Sequence, residues 1–238
     1  KINHILLLYK DQIKRTMSNI DIFHIFENNK KMVLFLLKND IITMSDQIYK
    51  EIVNKIEGNG KFYWHFFIPE IEKLIGEEKM NFAKKELLEQ NSNFFENYEE
   101  KRQEGENDSY ICSLIRQDSV VEFISHVNRY NISYSSQILP SIFETNPFLI
   151  DNKNTTLIEY SAFFGSIQIF RYLLMNKVEL KPSIWIYTIH SNNAELIHLL
   201  ESNEILPQKC NYFNVIQCFI ESIKCHHNDI AAYIISKF

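Results

Sequence analysis

Glycine and proline are scarce, five of each in 238 residues. Tight hairpins and phosphate-cradling loops need backbone at positive φ, which glycine adopts most readily, so the scarcity argues against both and favours helices. Long apolar runs are missing too. The longest, such as Ile5–Tyr9 and Val33–Leu37, fall far short of the roughly 20 residues needed to cross a bilayer, and no membrane insertion is expected. Cysteine is sparse and irregular: Cys112, Cys210, Cys218 and Cys225 have no framework spacing, which points to reduced thiols and a cytoplasmic location. An excess of positive charge is absent, with 25 Lys and Arg against 30 Asp and Glu and a net charge of −5. A nucleic-acid partner is therefore not expected. The opening KINHILLLYK lacks a small-residue cleavage site, and a start on Lys1 instead of Met is compatible with a fragment.

Catalytic signatures are missing as well. Gly58-Asn59-Gly60-Lys61 lacks the GxxxxGK[ST] spacing of a phosphate loop and reads as a helix stop. Cys218, Cys225, His226 and His227 carry potential zinc donors, but no CxxC or HxxxH pairs them; they read as surface and packing residues. With no nucleophile elbow and no cysteine–histidine signature, the expectation is a chain without catalytic residues, without a metal and without a cofactor.

What is present is helical periodicity. Ile20, Phe23 and Phe26 share a face, as do Ile48, Ile52 and Ile56. The aromatic cluster Phe62–Phe67 has no interleaved basic residues and reads as core, and no sustained heptad marks the charged residues 70–106, which read as a solvated face. Glu96–Asp108 is almost entirely charged or amide. The expected organisation is a helical N-terminal region over 1–100, a charged linker over 101–108, and a second domain over 109–238.

In that second domain Thr156–Gly165, TLIEYSAFFG, resembles the first helix of the ankyrin repeat, T-P-L-H-x-A-A-x-x-G. Thr156, Ala162 and Gly165 match. Upstream, Asp151–Asn154 fits the repeat's turn; downstream, Ile169-Phe170 and Leu173-Leu174 fit its second helix. The departures are Leu157 in place of proline and Glu159 in place of the histidine that ties neighbouring turns, so weaker turn pairing is expected. Asn192 stands 27 residues after Gly165 and His226 a further 34, giving two more copies. A degenerate copy begins near Arg116 and a fainter one covers Asn28–Asn39. The texture is similar to the divergent ankyrin-like families of parasitic protists, for which interaction is inferred and no chemistry is established.

The resemblance implies an all-α fold, an α-solenoid of degenerate ankyrin-type helix-turn-helix repeats, in which a single helix pair cannot bury its own apolar face and neighbours supply the missing core. It also implies non-catalytic protein–protein interaction through the concave face and turns, with the partner-facing positions falling on Asn152, Lys153, Thr155, Phe163, Phe164, His190 and Ser191. Phe163 and Phe164 have a second placement open to them, packed beneath the 127–150 segment. The alternative function is that of a structural segment stacking on further repeats of a longer array.

Overall fold

The computed structural model describes residues 2–54, 61–152, 154–207 and 212–238. Gly58–Gly60, Lys153 and Cys210 lie outside the described residues. Within them the regular structure is helical, with no strand and a single isolated bridge between Gln137 and Thr156. The chain divides into two compact units. One comprises residues 1–108 with Pro140–Asp151; the other comprises Ser109–Leu139 with Asn152–Phe238.

Unit 1 holds α1 (Ile2–Leu8), α2 (Lys10–Thr16), α3 (Asn19–Phe26), α4 (Lys30–Lys38), α5 (Asp46–Asn54), α6 (Lys61–Phe66), α7 (Ile68–Ile75), α8 (Glu77–Gln90) and α9 (Tyr98–Glu104). Its later segment adds α12 (Pro147–Asp151). Phe23, Leu36, Ile48, Ile52, Phe66 and Phe67 are fully buried at its centre. The expected linker over 101–108 is corrected here, because α9 carries Arg102, fully buried, and the chain beyond it is pinned in place. Gly105 closes α9 at φ 70°, and its carbonyl accepts hydrogen bonds from the Thr145 amide at 3.0 Å and the Thr145 hydroxyl at 2.7 Å. A Cβ at Gly105 would come within 2.7 Å of the Thr145 hydroxyl oxygen. Residues 140–151, expected within the repeats, belong to this unit: Phe143 is buried edge-on against Tyr98.

Among the described residues, unit 2 contains four helix–turn–helix pairs. They are α10 (Tyr110–Arg116) with α11 (Val120–Tyr130), α13 (Leu157–Phe164) with α14 (Ile167–Met175), α15 (Ile184–Ser191) with α16 (Ala194–Ser202), and α17 (Tyr212–Lys224) with α18 (Asn228–Lys237). First helices pack side by side, α10 on α13, α13 on α15 and α15 on α17. Each reversal passes through one left-handed residue: Asp118, Gly165, Asn192 and His226. Gly165 lies 47 residues after Asp118, much longer than the later spacings, because the chain between them includes the segment that belongs to unit 1. The four and five positions after each later reversal are buried, as Ile169-Phe170, Leu196-Ile197 and Ile230-Ala231.

Glu159 has a local use that explains its presence where the resemblance expects histidine. It completes a capping box, its carboxylate accepting from the Thr156 amide at 2.9 Å while the Glu159 amide donates to the Thr156 hydroxyl at 3.4 Å. Turns are tied instead by Asp118, whose carboxylate accepts from the Gln168 and Ile169 amides at 3.0 Å each, and by Ser166, whose hydroxyl donates to the Ile115 carbonyl at 2.5 Å.

Helices α4, α14 and α16 end on a shared device. In Leu173–Val178, Leu200–Ile205 and Leu36–Ile41 an asparagine (Asn176, Asn203, Asn39) donates its side-chain amide to the carbonyl four residues back, each at 2.8 Å. The next residue (Lys177, Glu204, Asp40) is left-handed, and the aliphatic after it donates to the carbonyl five residues back. This is the Schellman closure, usually entrusted to glycine. An L-residue in the left-handed region costs roughly 1–2 kcal/mol. Lys177→Gly, at an exposed position, is therefore expected to raise stability by about 1 kcal/mol, read as a higher urea midpoint at unchanged slope.

Candidate functional site

Two clusters of titratable groups stand out, one in each unit. In unit 1, Lys30 is buried, its Nζ donating to the Ile142 carbonyl at 2.6 Å and lying 5.0 Å from the Phe66 ring centre. Burial pulls its pKa down to about 7, and the charge of Glu144 offsets only part of that. Arg102 nearby donates to Glu70 at 2.6 Å and to Glu99 at 2.5 Å, with its guanidinium over the faces of Phe66, Phe67 and Tyr98. Burial raises the Glu70 carboxyl and Arg102 opposes that rise; at Glu99 burial also acts upward, but Arg102 and Lys38 outweigh it and hold the group low. The charges in this cluster meet one another inside a packed aromatic core, so it reads as a stabilising network.

Lys30 makes the unit pH-sensitive. Its pKa is near 7 when folded and about 10.5 when unfolded, so between those values the unfolded chain binds more protons and stability rises with pH. Below pH 7 both states carry the proton and the cost of the buried charge is fully felt. From pH 7.5 to 9.5 the wild type is expected to gain about 2 kcal/mol relative to Lys30→Met, measured by urea denaturation at both pH values. Parallel behaviour of the two proteins would show that Lys30 does not titrate there.

The second cluster lies in unit 2, where the C-terminal ends of two adjacent first helices meet. Helix α15 carries His190 two residues before its left-handed closure at Asn192, and α17 carries Glu221 one helical turn before Cys225, whose amide donates to the Glu221 carbonyl at 2.9 Å. The i, i+4 spacing puts the carboxylate and the thiol on one face. His190 sits between them, with Nε2 3.1 Å from a Glu221 carboxylate oxygen and Nδ1 3.4 Å from the Cys225 sulfur. Phe163 of α13 lies against the imidazole, ring centres 4.6 Å apart and planes inclined at 31°. Lys224 holds the other Glu221 oxygen at 3.1 Å.

Burial raises the Cys225 thiol to about 11, with Glu221 adding to the effect. Burial also lowers the His190 pKa, Glu221 opposing it. The resting pair is thus a thiol and a neutral imidazole, not the thiolate–imidazolium of a prepared nucleophile. What the arrangement offers is a nitrogen lone pair, a carboxylate and a sulfur on facing helices.

The partner-facing residues expected from the sequence fall as follows. Thr155 is buried, its hydroxyl donating to the Asn152 carbonyl at 2.7 Å and lying 3.3 Å from the Tyr187 hydroxyl. Phe163 is 8% exposed. The expectation that these two side chains face outward is corrected; they pack within the unit. Asn152, Phe164, His190 and Ser191 are half-buried. Phe164 stacks on Tyr160 at 4.7 Å, and the Ser191 hydroxyl donates to the Thr188 carbonyl at 2.7 Å. Of those among the described residues, only Phe163 and His190 take part in the cluster, and Glu221 and Cys225 were not singled out together. Position relative to the helix reversals carried the missing signal: the residue two before one reversal, His190, lies beside the residues five and one before the next, Glu221 and Cys225. Of the residues first weighed as zinc donors, Cys225 enters the cluster, while Cys218 is fully buried on α17 with its thiol raised by burial to about 12. No helix among the described residues is long and apolar enough to cross a membrane. No protein-family model, curated protein or solved structure matches the chain.

Proposed function

We propose that the chain is a non-catalytic protein-interaction module of the cytoplasm, in which unit 2 works as a short α-solenoid of degenerate ankyrin-type pairs. The supporting observation is the outer side of α17. Ile216, Ile220 and Ile223 are 39%, 45% and 48% exposed and recur at i, i+4 and i+7, beside the buried stripe of Val215, Cys218 and Ser222. An aliphatic ridge of this kind suits a protein partner's apolar surface. Contact through α17 replaces the expected contact through Thr155 and Phe163, which are already engaged in the fold.

A second reading, a structural segment that takes a further helix pair, has its own support. Helix α15 is packed by α13 and by α17, so the open ridge on α17 is suited to a next first helix of the same build. Replacing Ile216, Ile220 and Ile223 together by Asp tests both readings. At exposed positions such changes cost little stability. Affinity capture from native extract is expected to lose its specific partners with the triple variant while circular dichroism stays unchanged. Identical captured proteins for both forms would overturn the assignment of this face. Captured repeat segments, as opposed to unrelated proteins, would favour the second reading.

A further inference from the structure

We propose that His190, Glu221 and Cys225 bind a single zinc ion that staples α15 to α17. One donor atom from each residue lies within 4.8 Å of the other two. With Zn–S near 2.3 Å and Zn–N and Zn–O near 2.0–2.2 Å, tetrahedral donors stand roughly 3.3–3.8 Å apart. Of the observed pairs, the one at 3.4 Å falls in that range and the one at 3.1 Å lies just below it. They use opposite nitrogens of His190, and one ion takes one nitrogen, so closure asks for a side-chain movement of about 1 Å, on the scale of the excess of 4.8 Å over the tetrahedral spacing. Cys225 stands just past the last residue of α17, where a rotamer change disturbs little helix.

The donor chemistry selects the metal. A sulfur donor disfavours magnesium and calcium, which prefer oxygen cages, and a mixed sulfur, nitrogen and oxygen set suits a borderline cation such as zinc. Supporting contacts are in place: Lys224 orients the carboxylate through its second oxygen, and Phe163 fixes the plane of the imidazole. Three protein donors leave a fourth position for water. The ion would join two successive helix pairs, a coupling that the repeat's nearest-neighbour packing otherwise supplies alone.

The test is isothermal titration of the purified chain with zinc chloride, with magnesium chloride as the hard-cation control. One zinc per chain and no magnesium binding are expected, with affinity falling at least tenfold in Cys225→Ser and in Glu221→Gln. Zinc is expected to raise the melting temperature by several degrees in the wild type and not in either variant. Cobalt supplies a second readout: a thiolate-to-cobalt charge-transfer band should appear in the wild type and vanish in Cys225→Ser. Circular dichroism establishes that each variant is folded, and the cobalt band on the wild type needs no variant. Absence of zinc binding, or a band and affinity undiminished in folded Cys225→Ser, overturns the proposal.

Discussion

Arg102→Ala is expected to destabilise the protein by about 3–5 kcal/mol, seen as an earlier loss of helical signal in urea. The side chain is fully buried and bridges two carboxylates, Glu70 at 2.6 Å and Glu99 at 2.5 Å. It also lies over three aromatic rings, Phe66 at 5.2 Å, Tyr98 at 5.5 Å and Phe67 at 6.0 Å. Truncation removes this packing and leaves Glu70, largely shielded from water, without its cation. The pair itself is not the source of the whole loss, since an uncompensated buried charge is the dominant cost. Two further variants separate the terms. Arg102→Met keeps most of the apolar stem contact yet still strands Glu70, so it should remain strongly destabilised. Adding Glu70→Gln to Arg102→Met removes the stranded charge and should recover a large part of the loss. Failure of the second change to help would show that cation–aromatic packing, and not the carboxylate, makes Arg102 indispensable. Glu99 is half exposed and contributes little to this difference, because water screens it.

The helical class was legible because it follows from backbone demands that composition reveals. Five glycines cannot supply many positive-φ turns, and apolar residues at helical spacing mark the faces. Gly165, Asn192 and His226 could be placed in register from the hydrophobic residues following each, and all three are left-handed in the structure. The shape of unit 1 was not legible for the opposite reason. Arg102 and its neighbours look like solvent-facing residues in any window of the sequence, and the pairing with Glu70, 32 residues away, that helps make burial tolerable is long-range. The return of residues 140–151 to unit 1 was hidden in the same way. It depends on Thr145 meeting Gly105 and Phe143 meeting Tyr98, contacts with no local periodicity. The cluster in unit 2 lay between these extremes. Its residues were visible, but their meeting required knowing that α15 and α17 pack side by side.

Phe163→Ala is expected to lower stability by about 3 kcal/mol, contrary to what an exposed interface aromatic would show. Repeat register alone places Phe163 where a partner-facing residue belongs, and there a truncation would leave the melting temperature nearly unchanged. The structure gives it a different set of neighbours: the His190 imidazole at 4.6 Å and the Phe164 ring at 5.0 Å, with 8% of its surface left to water. Removing the ring therefore opens a cavity between α13 and α15, two helices with an extensive shared interface. The adjacent Phe164 behaves differently. It is half-buried, leaning on Tyr160 at 4.7 Å with the Arg116 guanidinium 6.0 Å from its centre, so Phe164→Ala should cost less than half as much. The comparison is made by urea denaturation of the two single variants and Phe163→Leu. Leucine restores most of the lost volume and should recover more than half of the loss if the cause is a cavity. Equal, small effects for all three would return Phe163 to the surface and with it the original assignment of the binding face. A large effect for Phe163→Ala alone fixes it as the side chain through which α13 holds His190, and so ties the integrity of the helix stack to the geometry of the histidine, glutamate and cysteine cluster.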